Sequence, residues 1–415
     1  MNVRKWCVEA LYEICDEKMY SNLYLQHHLH QLNEQDRALA SMIVYGTLQN
    51  QRYVRYQWEH MVKRLPDKRI MYLLDMSIYQ LLFLDAIPAY AIIHEAVELS
   101  KQVQPKAKGL VNGVLRRFQR EGERKLPKDE WKAISLRASL PEWIVQMWKS
   151  QYGEEACKKI CESINQIHPQ CVRVNVMKTS REKLMETGKY RCGCLSKDAL
   201  YLEKGNAAES EEYKKGDISI QSEASQMVAL WMDPQPNERI LDVCSAPGSK
   251  AAHMAEHMHN QGLIVCGDIH PHRVELIKQG AKRLSLSILD AHVMDATKLE
   301  EVADAAFDGV LCDVPCTGYG VMGRKSDIKT HLNPSAMDTL IPLQYAILCC
   351  ASKKVRPNGR LIYSTCTLNK KENEKQVMRF LKEHPSFLLQ KEQTIFPYEH
   401  GTDGFYIALL LKKEE

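Results

Sequence analysis

The stretch I-L-D-V-C-S-A-P-G-S-K, Ile240 to Lys250, reads as a strand, a tight turn and a helix start. Gly248 lets the backbone approach a ligand, and the amino end of the following helix offers unpaired N–H donors. The spacing fits neither the phosphate-binding lysine loop nor the three-glycine dinucleotide fingerprint. The surroundings of the turn decide the architecture. Beyond about Gln221 short apolar strands are expected at Arg239 to Val243, Leu263 to Asp268, Ala291 to Met294, Gly309 to Asp313 and Arg360 to Ser364. They alternate with helical patterns at Lys250 to His257, Arg273 to Leu284 and Leu340 to Val355. Such alternation predicts an α/β fold with a doubly wound, mostly parallel Rossmann-like sheet, to which Phe405 to Leu411 adds a late strand that could run antiparallel.

Chemistry gathers at the carboxyl ends of these strands. Asp268 ends the second strand, where a carboxylate can accept both ribose hydroxyls of a nucleoside. Asp295 ends the third and could meet an adenine amino group. Aspartates in such places are often turn formers, but three at successive strand ends, counting Asp313, point to a bound adenosine moiety. Downstream, D-V-P-C-T-G-Y-G (Asp313 to Gly320) and Y-S-T-C-T (Tyr363 to Thr367) each put a cysteine at a strand-to-loop boundary. A thiolate can add to an electron-poor ring carbon, so the pair reads as covalent chemistry on a nucleobase.

Upstream, Val3 to about Arg120 is helical in period throughout, with Trp6, Cys7, Ala10, Leu11 and Ile14 on one face and Ile70, Leu73, Leu74 and Ile78 on another. An all-α bundle is expected over residues 1–125, with Asn33 capping a helix. The polar segment Glu121 to Glu130, broken by Gly122 and Pro127, is the expected linker. Period-two patterns at Cys171 to Val176, Ala199 to Leu202 and Ile218 to Gln221 predict a small α+β subdomain within 126–215, before a cofactor-binding domain at 216–415.

At 415 residues, 45% hydrophobic and 26% charged, the chain has the composition of a soluble globular protein. No stretch approaches about 18 uninterrupted apolar residues, so a cytoplasmic protein is expected. The fourteen cysteines are expected to be reduced thiols. The net charge of +4 is small, but from Lys101 to Lys128 nine basic residues face only Glu121 and Glu123. A second basic cluster (Arg52, Arg55, Lys63, Arg64, Lys68, Arg69) lies in the same bundle, and together they suggest phosphate contact. Arg324, Lys325 and Lys329 are further candidates for holding a nucleic-acid backbone. His253, His257 and His259 imitate ligand spacing but bring no carboxylate or cysteine set in sequence, and Cys192-Gly193-Cys194 lacks a second pair, so no metal is expected.

Four segments carry a resemblance: L-D-V-C-S-A-P-G-S-K, C-G-D-I-H-P-H-R-V, L-C-D-V-P-C-T-G-Y-G-V-M-G-R-K-S-D-I-K and L-I-Y-S-T-C-T-L-N-K-K-E-N-E, in that order. They resemble the motifs of the Sun/Fmu/Nop2 family of RNA cytosine-5 methyltransferases, as does D-G-F-Y-I-A at Asp403 to Ala408. D-R-A-L-A-S-M-I-V-Y-G-T-L and G-L-V-N-G-V-L-R-R-F are similar to the NusB-like RNA-binding domain of bacterial small-subunit (16S) ribosomal RNA methyltransferases. The resemblance spans essentially the whole chain. It implies S-adenosylmethionine as cofactor, held by Cys244, Ser245, Ala246, Pro247, Gly248, Ser249, Lys250, Asp268, Arg273, Asp295 and Asp313. It also implies Cys366 as nucleophile on cytosine carbon 6, Asp313 as hydrogen-bond partner of the base, and Cys316 as the residue of the release step. The expected partner is small-subunit ribosomal RNA, bound by a monomer. A transfer RNA substrate, or an assembly factor that has lost activity, are the alternatives. The chain departs from the family's usual residues at Ser249 and Ser285 (glycine), Ser326 (proline) and Thr330 (tryptophan).

Overall fold

The structure is a computed structural model that describes residues 2–166 and 168–414. Two sheets form. The smaller comprises β1 (Gln170–Val174), β2 (Tyr190–Cys192), β3 (Ala199–Leu202) and β4 (Ile218–Ile220), in the order β2-β3-β1-β4 with antiparallel pairing throughout. Its inner residues Val172, Val174, Leu200 and Ile218 form a small core of their own.

The larger sheet contains β5 (Arg239–Asp242), β6 (Leu263–Asp268), β7 (Leu289–Val293), β8 (Phe307–Asp313), β9 (Val355–Thr365), β10 (Phe387–Ile395) and β11 (Phe405–Lys412), in the order β10-β11-β9-β8-β5-β6-β7. The strands from β9 across to β7 run parallel, and β11 runs antiparallel to both its neighbours. Because successive strand residues point to opposite faces, the sheet builds two cores. Ile240, Ile264, Leu311, Ile362 and Ile407 enter one, with the helices Glu223–Met232, Ser249–His257 and Pro271–Leu284. Leu241, Val310, Cys312, Leu361, Tyr363 and Ala408 enter the other, with the helices Ala336–Ser352 and Glu374–Glu383. The doubly wound sheet expected from sequence is present, though several strands differ from the expectation, β8 among them, which starts at Phe307. β7 starts earlier than anticipated, β9 begins at Val355, and β10 was not anticipated at all. β10 has buried side chains only at its ends, Phe387 and Ile395, so it carries no period-two signal.

Contacts divide the chain into two units, one of Met1–Gln166 with Met322–Asn333, the other of Ile167–Val321 with Pro334–Glu415. In the first, the Asn33 side chain accepts from the Asp36 N–H and starts the helix Glu34–Trp58. Asp75 is fully buried in the bundle, where it accepts from Arg55 Nε at 2.9 Å and from Trp58 Nε1 at 2.8 Å. Arg55 therefore belongs to the core and is not part of a phosphate-facing cluster. The segment read as a linker is tied down on the helix Glu34–Trp58. Tyr56 donates to the Lys125 carbonyl at 2.8 Å, and the Arg124 N–H donates to Gln57 at 2.7 Å. The helices Glu130–Arg137, Glu142–Tyr152 and Glu154–Ser163 continue the same unit.

Candidate active site

β5 has β6 on one side and β8 on the other, and their connections leave in opposite directions, which opens a crevice at its carboxyl end. The turn that follows is fixed by backbone bonds, Ser245 N–H to Gly267 O at 2.7 Å and Gly248 N–H to Ser245 O at 2.7 Å. Gly248 has φ +95°, and a Cβ there would lie 3.2 Å from Ile277. Asp242 ends β5, fully buried, with the Ser245 hydroxyl and the Cys244 N–H beside it but no hydrogen bond of good geometry to either oxygen. Burial, reinforced by the charge of Asp313, pushes the Asp242 carboxyl up to about 7. The half-buried Cys244 thiol is held protonated by burial and by Asp242.

Asp268 ends β6. Its Oδ1 accepts the His270 N–H at 2.9 Å, and Arg273 Nη1 lies 3.7 Å from Oδ2. Asp295 lies just past β7 and not at its end, and its Oδ1 accepts both the N–H and the hydroxyl of Thr297, at 2.9 and 2.7 Å. Those bonds hold its carboxyl below its ordinary value.

The helix Ser249–His257 is latched from the small sheet. Arg173 of β1, fully buried, donates to Glu256 Oε2 at 3.0 Å and to the Ser249 carbonyl at 2.7 Å. Asp198 joins the same helix through His253 Nε2 at 2.9 Å and His257 Nε2 at 2.8 Å. These three side chains are, among the described residues, the one grouping whose atoms could surround a metal. The sequence reading missed Asp198 because it comes from a loop of the other sheet. Both imidazoles converge on the same oxygen, Asp198 Oδ2, so hydrogen bonds already fill the junction.

At β8 and β9 the register places Asp313 opposite Ser364. Ser364 Oγ donates to Asp313 Oδ1 at 2.8 Å, and Lys250 Nζ, from the start of the helix after the cofactor turn, reaches Asp313 Oδ2 at 2.5 Å. Burial opposes charge on Lys250, yet Asp313, helped by Cys366 and Asp242, holds its amine above the usual value. Beyond Asp313 the two cysteine sulfurs lie 3.4 Å apart, both half-buried. The hydrogen bond to Cys366, then burial, pushes the Cys316 thiol well up. The loops meet where Gly320 N–H donates to the Cys366 carbonyl and Gly404 N–H to Gly320 O. A Cβ on Gly320 would lie 2.1 Å from the Gly404 oxygen, so D-G-F-Y must approach with no side chain between.

The residues from Cys244 to Lys250 with Asp268, Arg273 and Asp313 thus line the carboxyl ends of β5, β6 and β8, with Asp295 beyond β7. Lys329 does not act as a backbone-holding cation. It is buried, donates to the carbonyls of Gln49 at 3.1 Å and Ala138 at 2.8 Å, and burial lowers its amine to about 7. Asp242, Ser364 and Glu372 were missed, although all three stand inside quoted motifs.

Comparison with known proteins resolves what this arrangement belongs to. Residues 229–411 match the family described as 16S rRNA methyltransferase RsmB/F. Residues 1–120 match the NusB family, and 140–207 the ferredoxin-like domain of RsmF/B-like methyltransferases. A probable ribosomal RNA small subunit methyltransferase B of Bacillus subtilis is 39% identical, over 99% of this chain and 99% of that protein. The chain belongs to the RsmB/F methyltransferase family. A Vibrio cholerae ribosomal RNA small subunit methyltransferase B is 32% identical over 100% of this RsmB/F chain and 98% of its own length. Among solved structures, PH0851 superposes on it with a TM-score of 0.84 at 26% identity, covering 99% and 98% of the two chains. NSun6 from Pyrococcus horikoshii, crystallised with SFG, shares the fold, with a TM-score of 0.61 at 22% identity over 67% of this chain and 100% of its own.

Proposed function

We propose that this RsmB/F protein transfers a methyl group from S-adenosylmethionine to carbon 5 of a cytosine in small-subunit (16S) ribosomal RNA, through a covalent adduct with Cys366. The observation that carries the reading is the pair of sulfurs 3.4 Å apart beside Asp313 and Lys250. The cofactor end fits such a molecule. Asp242 offers two buried, weakly hydrogen-bonded oxygens to a positively charged group, and Asp268 offers a carboxylate at the place where a ribose is bound in this fold. S-adenosylmethionine, when bound, supplies an electrophilic methyl group.

Cytosine carbon 5 is a weak nucleophile until a thiolate adds at carbon 6. The Cys366 sulfur forms that bond, and the displaced electron pair moves toward carbon 5 and ring nitrogen 3. Asp313, held by Lys250 and Ser364, accepts from the exocyclic amine, and the Lys250 ammonium beside it offsets the charge that builds on the ring. After methylation the proton on carbon 5 must leave. Its bonding pair restores the ring double bond and expels Cys366 as thiolate. Before the adduct forms, the hydrogen bond to Cys366 keeps Cys316 protonated. With Cys366 bonded to carbon that hydrogen bond is gone; Cys316 then gives up its own proton to solvent and, as thiolate, takes the proton that leaves carbon 5.

RNA contact is assigned to the helical unit. Lys63 and Arg64 line an open groove with Gly109, Leu110 and Gly113, where small residues admit a phosphate backbone. Arg116 and Arg120 are exposed on the helix Lys108–Glu121 that borders it.

Purified protein, 16S ribosomal RNA and labelled cofactor test the reading. Mass spectrometry should place the methyl on cytosine carbon 5. Cys366→Ala should give neither product nor adduct, whereas Cys316→Ala should leave RNA attached in a denaturation-resistant complex. Adduct in Cys366→Ala and none in Cys316→Ala would reverse the roles.

A further inference from the structure

The segment N-K-K-E-N-E follows Cys366 closely, and its first glutamate has no part in the chemistry above. Glu372 is fully buried at the start of the connection to the helix Glu374–Glu383. Its carboxylate accepts four hydrogen bonds, two on each oxygen. Oε1 receives the Thr317 N–H at 3.0 Å and Gln344 Nε2 at 2.9 Å, and Oε2 receives the Thr317 hydroxyl at 2.6 Å and Asn369 Nδ2 at 2.9 Å. A carboxylate so supplied is anchored, since a charged acceptor makes the stronger class of hydrogen bond.

The partners explain the placement. Thr317 follows Cys316, and Gln344 Nε2 also donates to the carbonyl of Pro315, which precedes it, at 2.9 Å. Asn369 lies three residues beyond Cys366. Because Thr317 gives its hydroxyl proton to Glu372, the 2.7 Å contact between Thr317 and Thr367 must run from the Thr367 hydroxyl to Thr317 Oγ1. Thr367 Oγ1 then accepts the Tyr319 N–H at 3.2 Å. The bonds form a directed chain from one cysteine loop to the other with Glu372 at its head.

We propose that Glu372 is a positioning residue that fixes the Cys316 loop in register against the Cys366 loop, so that Cys316 reaches the adduct in the release step. This rests on the cysteine roles proposed above and names a residue that acts through them. Glutamine at this position keeps the size but turns an amine toward two donors.

In purified full-length protein with 16S ribosomal RNA and S-adenosylmethionine, Glu372→Gln should still attack and methylate. Release of RNA should slow by roughly 10- to 100-fold, the scale of a small misplacement of a reacting group, and denaturation-resistant complex should accumulate. Cofactor affinity should stay at the wild-type value. Thr317→Val should show the same accumulation to a smaller degree, with Thr317→Ser recovering most of the release. Adduct in Cys316→Ala but not in Glu372→Gln or Thr317→Val overturns the inference alone, as does joint loss of cofactor binding and methylation in both. No adduct in Cys316→Ala overturns the reading on which it rests.

Discussion

The two halves of the sheet's carboxyl edge treat buried carboxylates in opposite ways. On the side of β8 and β9, Glu372 accepts four hydrogen bonds and Asp313 is held by Lys250 and Ser364. On the side of β5, Asp242 is just as buried and has only the Ser245 hydroxyl and the Cys244 N–H beside it, neither in good hydrogen-bond geometry. A buried polar group left unsatisfied costs about 1–3 kcal/mol, more when charged. On the proposed reading, the base-handling side is assembled by the protein alone, whereas Asp242 on the cofactor side waits for a partner that the ligand would bring.

The sharpest way to break this contrast is Asp242→Asn. The folded carboxyl titrates at about 7 against an ordinary 3.8, so the folded state holds a proton that the unfolded chain has already released between those values. Stability of the ligand-free protein should therefore fall as pH rises from about 4 to 7. Each tenfold difference in proton affinity is worth about 1.4 kcal/mol, so the loss amounts to a few kcal/mol. Asparagine should remove the slope, raising the melting temperature at pH 8 relative to wild type but not at pH 4. Parallel melting curves across pH would show that Asp242 has a partner after all. Asp268→Ala comes next, with cofactor affinity reduced by about 1.5–3 kcal/mol through loss of a charge-assisted contact. Calorimetry should find this in a protein that melts normally, and an unchanged affinity would take β6 out of the cofactor side. The smallest effect serves as a control outside both halves. Ser285 caps the helix Pro271–Leu284 at φ +61°, a conformation that favours glycine, so Ser285→Gly should stabilise by about 1 kcal/mol in chemical denaturation and alter neither affinity nor product.

Periodicity made the sheet legible because each central strand sends alternate residues into two different cores, as Leu361 and Ile362 do. β10 was illegible because its middle is exposed and no face is selected. The proposed reacting groups could be named because the cysteines and Asp313 lie in contiguous motifs. What holds them could not. Ser364 meets Asp313 through strand register, and Glu372 meets Thr317 across two loops far apart in sequence. Charge misled where burial intervened. Arg55 and Lys329 count toward basic clusters in sequence, yet one is paired with Asp75 in the bundle and the other is surrounded by carbonyl groups.

Lys329 lies in Met322–Asn333, the stretch that departs just past the Cys316 loop and takes its partners from the helical unit. There Asp327 accepts from Ser21 at 2.6 Å and His331 meets the Ile14 carbonyl at 3.0 Å. The polypeptide consequently passes between the two units three times, not once. Scission after Gln166 would leave two fragments that still share a common strap. A gene split at that point would give halves of which the C-terminal one carries a piece belonging to the other's interior. Trimming away the first 120 residues likewise strips Met322–Asn333 of its seat, so a minimal catalytic fragment has to be designed with that stretch redesigned or replaced.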